Sequence, residues 1–260
     1  FSDSSNNTIA NNTILNNGGG IVLYYSSKNT IANNTVSNNG DGIELWYSSN
    51  NNIIANNTAS SNNDDGITLG ESSNNTIANN TVLSNWNGIV LWYSSNNTVA
   101  NNIVSNNWDG IYLSDSSNNT IANNTVSNNG GGIGLYKSNN IIYLNNFINN
   151  TDQVYSYDST NIWNSTELIT YTYNGTQYTN YLGNYWSDYT GSDSDGDGIG
   201  DTPYSIDGDK DNYPLMERFE NYFRGVEEEY NPKLSVPDIA PLQESGYVGT
   251  TFQFVFNVTN

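Results

Sequence analysis

The sequence predicts an all-β fold. It reads as a right-handed parallel β-helix with three short strands per coil of about 22 residues, an irregular C-terminal cap and the start of a β-sandwich domain. Three observations carry that expectation. Serine-led units recur from Ser4, Ser26, Ser48, Ser72, Ser94, Ser116 and Ser138, at spacings of 22, 22, 24, 22, 22 and 22 residues. Four apolar columns stay in phase through them: Ile9, Ile14, Ile21 and Leu23 in the first unit, Val99, Val104, Ile111 and Leu113 in the fifth. Asn-Asn pairs, from Asn11-Asn12 to Asn123-Asn124, recur between the columns. Asparagine tolerates a left-handed bend, and one amide of each pair can stack inward on its own copy while the other faces solvent.

The elements follow in order. Ile21-x-Leu23 has the period of a strand. Its middle position runs Val22, Glu44, Thr68, Val90, Tyr112, Gly134 down the units and must face outward. Gaps of five residues from Ile9 to Ile14 and seven from Ile14 to Ile21 force a bend between columns. Three short segments per coil satisfy them, with parallel crossovers of the favoured right hand. The 24-residue unit places its two extra residues near Asn50–Asn52 and near Asn62–Asp65. Asn39-Gly40 and Asn129-Gly130 also suit an antiparallel meander, but its strands would lack one-sided alternation. A calcium β-roll needs Gly-Gly-x-Gly-x-Asp, which these units lack. Disorder would not keep four columns in phase. Repeats therefore span residues 1–150, a cap spans 151–224 with a short helix from Pro214 to Arg224, and a linker and first sandwich strand (Thr251–Thr259) occupy 225–260.

Composition bounds the function. Leu, Ile, Val and Phe total 56 of 260 residues while 52 are Asn, so the core must be thin and repetitive. There is no Cys and no His, which removes disulfides, thiolate or imidazole metal sites, and nucleophiles or bases of either type. Lys and Arg number 6 against 26 Asp and Glu, a net charge of −20 that disfavours nucleic acid and anionic membranes. No run of 18 apolar residues spans a membrane. An acidic chain rich in Asn, Thr, Ser, Tyr and Gly leans towards an extracellular, cell-surface setting.

The sharpest motif is Asp193-Ser-Asp195-Gly-Asp197-Gly-Ile199-Gly-Asp201. Alternate carboxylates, with glycines that let the chain wrap, make an oxygen cage suited to Ca2+. Asp193, Asp195, Asp197, the Ile199 carbonyl and Asp201 match the spacing of an EF-hand loop, but Tyr204 stands where the bidentate Glu would be. Eight Asp and one Lys lie from Asp188 to Asp211, so Asp207, Asp209 and Asp211 are candidates to complete this site or form a second. An aromatic stripe follows the Ile-x-Leu strand: Tyr24-Tyr25, Trp46-Tyr47, Trp92-Tyr93 and Tyr136, with Trp86 and Trp108 at a turn position. It suits a stacked ladder, a glycan platform or a subunit contact. Sequons at Asn6, Asn33, Asn74, Asn96, Asn118, Asn164 and Asn174 are candidate glycosylation sites.

The repeats resemble those of the pectin-lyase-like superfamily. Asn161-Ile-Trp163, Gly183-Asn-Tyr-Trp-Ser-Asp-Tyr189, Asp201-Thr-Pro-Tyr204 and Asp211-Asn-Tyr-Pro-Leu215 are similar to the NosD-like group, which includes cell-surface proteins of methanogenic archaea. The resemblance covers about residues 4–216 and implies an exported protein that often carries further β-sandwich modules. The copper role of NosD transfers poorly to a chain with no His or Cys and Met216 alone. Catalysis is not expected: Glu44 has no acidic partner at its own column, Asp64-Asp65 sits at an insertion turn, and Asp41 and Asp109 lie coils apart. The expected function is structural: a calcium-stabilised subunit of a surface layer, sheath or filament, with copies of itself as partners. Ser4 already opens a full-register coil, so either upstream sequence is missing or a second copy docks there, and assembly is expected head to tail or laterally; a glycan-binding module is the alternative and a carbohydrate-active enzyme a distant third.

Overall fold

The computed structural model describes residues 1–223; the expected linker and sandwich strand, and the last residue of the expected cap, lie outside the described residues. The chain winds as a parallel β-helix with three sheets. The first sheet has seven strands, Thr8–Ala10 to Ile141–Tyr143. The second has eight, Thr13–Leu15 to Asn146–Ile148 with Tyr185–Trp186 added from the cap. The third has seven, Gly19–Tyr24 to Asp152–Tyr157. Register is exact within columns: Ile77 pairs with Val99, Val82 with Val104, Ile89 with Ile111 and Leu91 with Leu113. These columns form one continuous apolar core of fully buried side chains.

Each bend combines two residues with different tasks. The first adopts a left-handed backbone, as at Asn96 (φ 57°), Asn101 (φ 58°) and Asn106 (φ 58°). The next turns its amide inward. Three asparagine ladders result, buried from the second coil onward, one from Asn7 to Asn161, one from Asn12 to Asn184 and one from Asn17 to Asn150. A serine ladder, Ser4 to Ser159, fills the fourth corner. In every rung the backbone N–H donates to the side-chain oxygen of the following coil. Asparagine thus supplies both the left-handed corner and the buried rung, which is why it dominates a chain so poor in aliphatic residues. The outer Asn of each pair is exposed at Asn11, Asn33 and Asn56, but Asn123 is buried.

Three expectations change. The first extra residue of the long unit is Ser48, not a residue near Asn50–Asn52, because Ser49 carries the serine rung while Tyr47 and Ser48 both take left-handed backbone. The β-helix also runs past residue 150: the strand Asp152–Tyr157 pairs with Gly131–Tyr136, and Ser159 and Asn161 still occupy ladder positions. Finally, the helix expected from Pro214 does not form over the described residues 214–223. The Pro214 carbonyl accepts Gly200 N–H and Leu215 N–H donates to the Asn184 carbonyl, so neighbouring chain captures the groups a helix would need. A short 3-10 turn remains at Phe219–Tyr222.

Candidate functional site

Asp193, Asp195 and Asp197 bring carboxylate oxygens within 4.8 Å of one another. Gly196 (φ 75°) and Gly198 (φ 90°) let the loop wrap through left-handed backbone that side chains resist. Asp193 Oδ1 accepts Gly196 and Asp197 N–H, and its Oδ2 accepts Gly198 N–H. The loop carbonyls are held from behind by tyrosines: Tyr178 donates to Gly196, Tyr171 to Asp197 and Tyr222 to Gly198. Ile199 donates its N–H to Asp197 and bridges to Leu215. The Asp201 carboxylate belongs to Ser192 and Ser194, whose three donors hold it below the usual carboxylate range. Of the expected ligands, then, the structure gathers Asp193, Asp195 and Asp197 and sets Asp201 apart as a loop acceptor.

Asp207, Asp209 and Asp211 are not brought to that cluster. They lie on a hairpin, Tyr204–Ile206 and Asp209–Asp211, turned at Gly208 (φ 79°), and accept hydrogen bonds from the last coil. Asp209 Oδ2 accepts Asn161 N–H and Trp163 Nε1–H, both at 2.9 Å. Asp211 is fully buried; its Oδ2 accepts the backbone and side-chain N–H groups of Asn184 and Trp186 Nε1–H, and its Oδ1 accepts Tyr213 N–H. Asp207 accepts Ser156 N–H. Every rung donates towards this end, so the two amide ladders that reach it would otherwise finish on unpaired donors, and Asp209 and Asp211 receive them. Phe147, Trp186 and Tyr204 stack at 4.5 and 4.4 Å and Trp163 packs against Trp186, closing the apolar core behind the hairpin.

The outer face of the third sheet holds a cluster that the sequence reasoning missed. The extra residue before Gly66 slides Asp65 into the column of Asp41, and Asp65 N–H donates to Asp41 Oδ1 at 3.3 Å. Asn87 and Thr68 donate to Asp65, while Glu44 accepts Trp46 Nε1–H at 2.8 Å. Burial raises the pKa values of Asp41, Glu44 and Asp65, and the negative charges of neighbouring acids add to the rise. Aligning Asp41-Gly-Ile43 with Asp65-Gly-Ile67 is the signal that finds this column; counting from the serines hides it.

The aromatic stripe divides. Tyr24 and Tyr25 both stack on Tyr47, and Tyr136 stacks on Tyr157. Trp46 lies over Gly70, where any side chain would meet its ring. Trp92 meets Tyr112 edge-on, and Tyr93 stays exposed. Among the sequons, Asn6, Asn33, Asn74, Asn96, Asn118 and Asn174 are exposed and Asn164 is half-buried.

A family described as "Periplasmic copper-binding protein (NosD)" matches residues 45–191, and one described as "Right handed beta helix region" matches residues 1–59. Among solved structures, two variants of the periplasmic alginate epimerase AlgG are similar in fold, with TM-scores of 0.56 and 0.57 at 22% and 23% identity. Each comparison covers 62% of this chain and 46% of the epimerase, so the chain spans less than half of that protein's length. Among curated proteins, none matches this chain. The residues present do not fit copper: imidazole, thiolate and thioether donors suit that metal, whereas this sequence has no His or Cys and one Met, and its aspartate loop offers oxygen alone. The β-helix match at the N-terminus overlaps a NosD match that continues from the coils into the cap over more than half of the sequence, and the chain belongs to the NosD family of right-handed parallel β-helix proteins.

Proposed function

We propose that this chain is a structural, non-enzymatic module of an exported surface protein: a rigid β-helix rod whose cap is pinned by Ca2+ and which packs beside copies of itself in a surface layer, sheath or filament. The observation that carries this reading is the four unbroken side-chain ladders, which spread the specialised geometry evenly over the coils instead of concentrating it in one. Periplasmic proteins of the same fold support export. Three carboxylates on a loop whose carbonyls already serve tyrosines leave an all-oxygen set, which suits a hard divalent cation. Packing side by side is favoured over head-to-tail stacking, because Asp209 and Asp211 occupy the acceptor positions that a following coil would use.

A second reading rests on the carboxylates Asp41, Glu44 and Asp65, since raised carboxylate pKa values on one sheet face are a feature of acid–base sites. Against it, the cations among the described residues are Lys28, Lys137, Lys210 and Arg218 and the N-terminal amine, so a uronate chain would find little to offset its charge. Proton NMR of polymannuronate and polygalacturonate incubated with the protein and Ca2+ separates the two. The structural reading expects no epimerised or unsaturated product. Turnover abolished by Glu44→Gln would replace it with the enzymatic one.

A further inference from the structure

Trp86 and Trp108 stand on successive coils at the corner between the second and third sheets, where Trp108 N–H donates to the Trp86 carbonyl. Their rings stack with centroids 5.3 Å apart and planes within 5°, yet they remain 56% and 63% exposed. No other tryptophan is placed this way: Trp163 and Trp186 are buried, Trp46 is tied to Glu44 over Gly70, and Trp92 leans on Tyr112. Neither indole N–H of the pair meets a protein acceptor among the described residues. The same column holds Gly18, Gly40 and Asp64 before the pair and Gly130 after it. The three atoms nearest a Cβ at Gly130 would all be Trp108 backbone, so the rung that follows Trp108 in this column carries no side chain of its own.

We propose that this pair is a stacking site for an uncharged pyranose chain, with one sugar ring taking the bare rung beside Trp108. Successive coils are about 4.8 Å apart, close to the spacing at which a sugar's apolar C–H face rests on an indole, so the ring continues the stack already begun by the two tryptophans. A ring with equatorial hydroxyls presents such a face and keeps its polar groups at the rim. The free indole N–H groups can serve that rim, and the exposed Asn106 and Asn128 lie on the same corner of neighbouring coils, whereas the Asp109 carboxylate is already engaged by the Tyr155 hydroxyl. Charge selects the class. Asp64 and Asp109 flank the pair, and in residues 1–144 the basic side chains are Lys28 and Lys137, so an anionic glycan or another copy of this acidic surface is repelled. This inference does not depend on the structural reading, because a rod that carries a glycan site is still a rod.

The test is calorimetric and fluorescence titration of the whole protein with cellohexaose and xylohexaose as neutral probes and a galacturonate hexamer as the anionic one. Saturable binding of a neutral hexamer is expected, weakened at least about tenfold in Trp108→Ala, largely restored in Trp108→Tyr and unchanged in Trp92→Ala. Melting curves confirm that the variants, altered at exposed positions, stay folded. Absence of saturable binding to either neutral probe, equal binding by Trp108→Ala, or preference for the anionic hexamer overturns the proposal. So does a concentration-dependent dimer that Trp108→Ala abolishes, which would make the pair a self-association surface.

Discussion

At Asn102 one side chain serves two neighbouring coils. Its Oδ1 accepts the backbone and side-chain N–H groups of Asn80, and its Nδ2 donates to the Ile77 carbonyl and to Asn124 Oδ1. Asn102→Ala strands the Asn80 N–H in the core and takes the side-chain donor from the Ile77 carbonyl, and a loss of about 2 kcal/mol in unfolding free energy is expected. Asn101, one residue earlier, contributes by its left-handed backbone (φ 58°); Asn101→Ala should cost only about 1 kcal/mol, and Asn101→Gly less. Urea denaturation of the three variants checks the ranking, and equal losses at the two positions would contradict it. This division of labour was half legible in the sequence. The Asn-Asn pairs announced a corner and a rung, but Ser48 and Ser49 are chemically alike, so only the ladder itself shows which one carries the fourth corner. The same indifference of spacing hid the Asp41–Asp65 column behind an inserted residue.

The hairpin of Asp207, Asp209 and Asp211 behaves as one element, a lid of acceptors on the donor end of the ladders. Sequence could not separate it from a metal site, because a carboxylate that receives N–H groups and one that receives a cation are written with the same letter. Asp209→Ala removes the acceptor of two part-buried donors and should cost about 2 kcal/mol. Asp211 adds a pH signature. Burial raises its carboxyl to about 6 from an ordinary 3.8, although its N–H donors pull the other way. The folded state therefore holds this proton more tightly than the unfolded chain does. Its contribution, roughly 3 kcal/mol, is present below about pH 4 and is lost as pH rises through about 6. Unfolding free energies at about pH 4 and about pH 7 should differ by that much more in the wild type than in Asp211→Asn; equal differences would remove Asp211 as the cause. The expected helix at Pro214 failed for a related reason. Its apolar spacing was real, but Leu215 spends its backbone on Asn184 in the cap rather than on a helical turn.

Over the whole molecule, stability and charge are unevenly shared. The coils draw on apolar columns and amide ladders, while 18 of the 26 acids follow residue 144 and three of them converge at Asp193, Asp195 and Asp197. An ion held only by the folded cap stabilises it, by about 2.7 kcal/mol when present at a hundredfold excess over its dissociation constant. Calcium should therefore raise the melting temperature by several degrees, EDTA should reverse the rise, and Asp195→Asn should abolish it. No response of the wild type to EDTA would leave the loop a solvated turn. The parallel fold, the columns and the cap were legible because a coil repeats its own evidence many times over; an assembly does not, and sequence periodicity is silent on what lies beside a rod. Chains carrying a net charge of −20 repel one another until a divalent cation bridges them. Electron microscopy of the purified protein across a calcium titration is the most direct test of the structural role. Ordered side-by-side arrays that form with Ca2+ and dissolve with chelator are predicted; monomers at every concentration, with and without Ca2+, would contradict it.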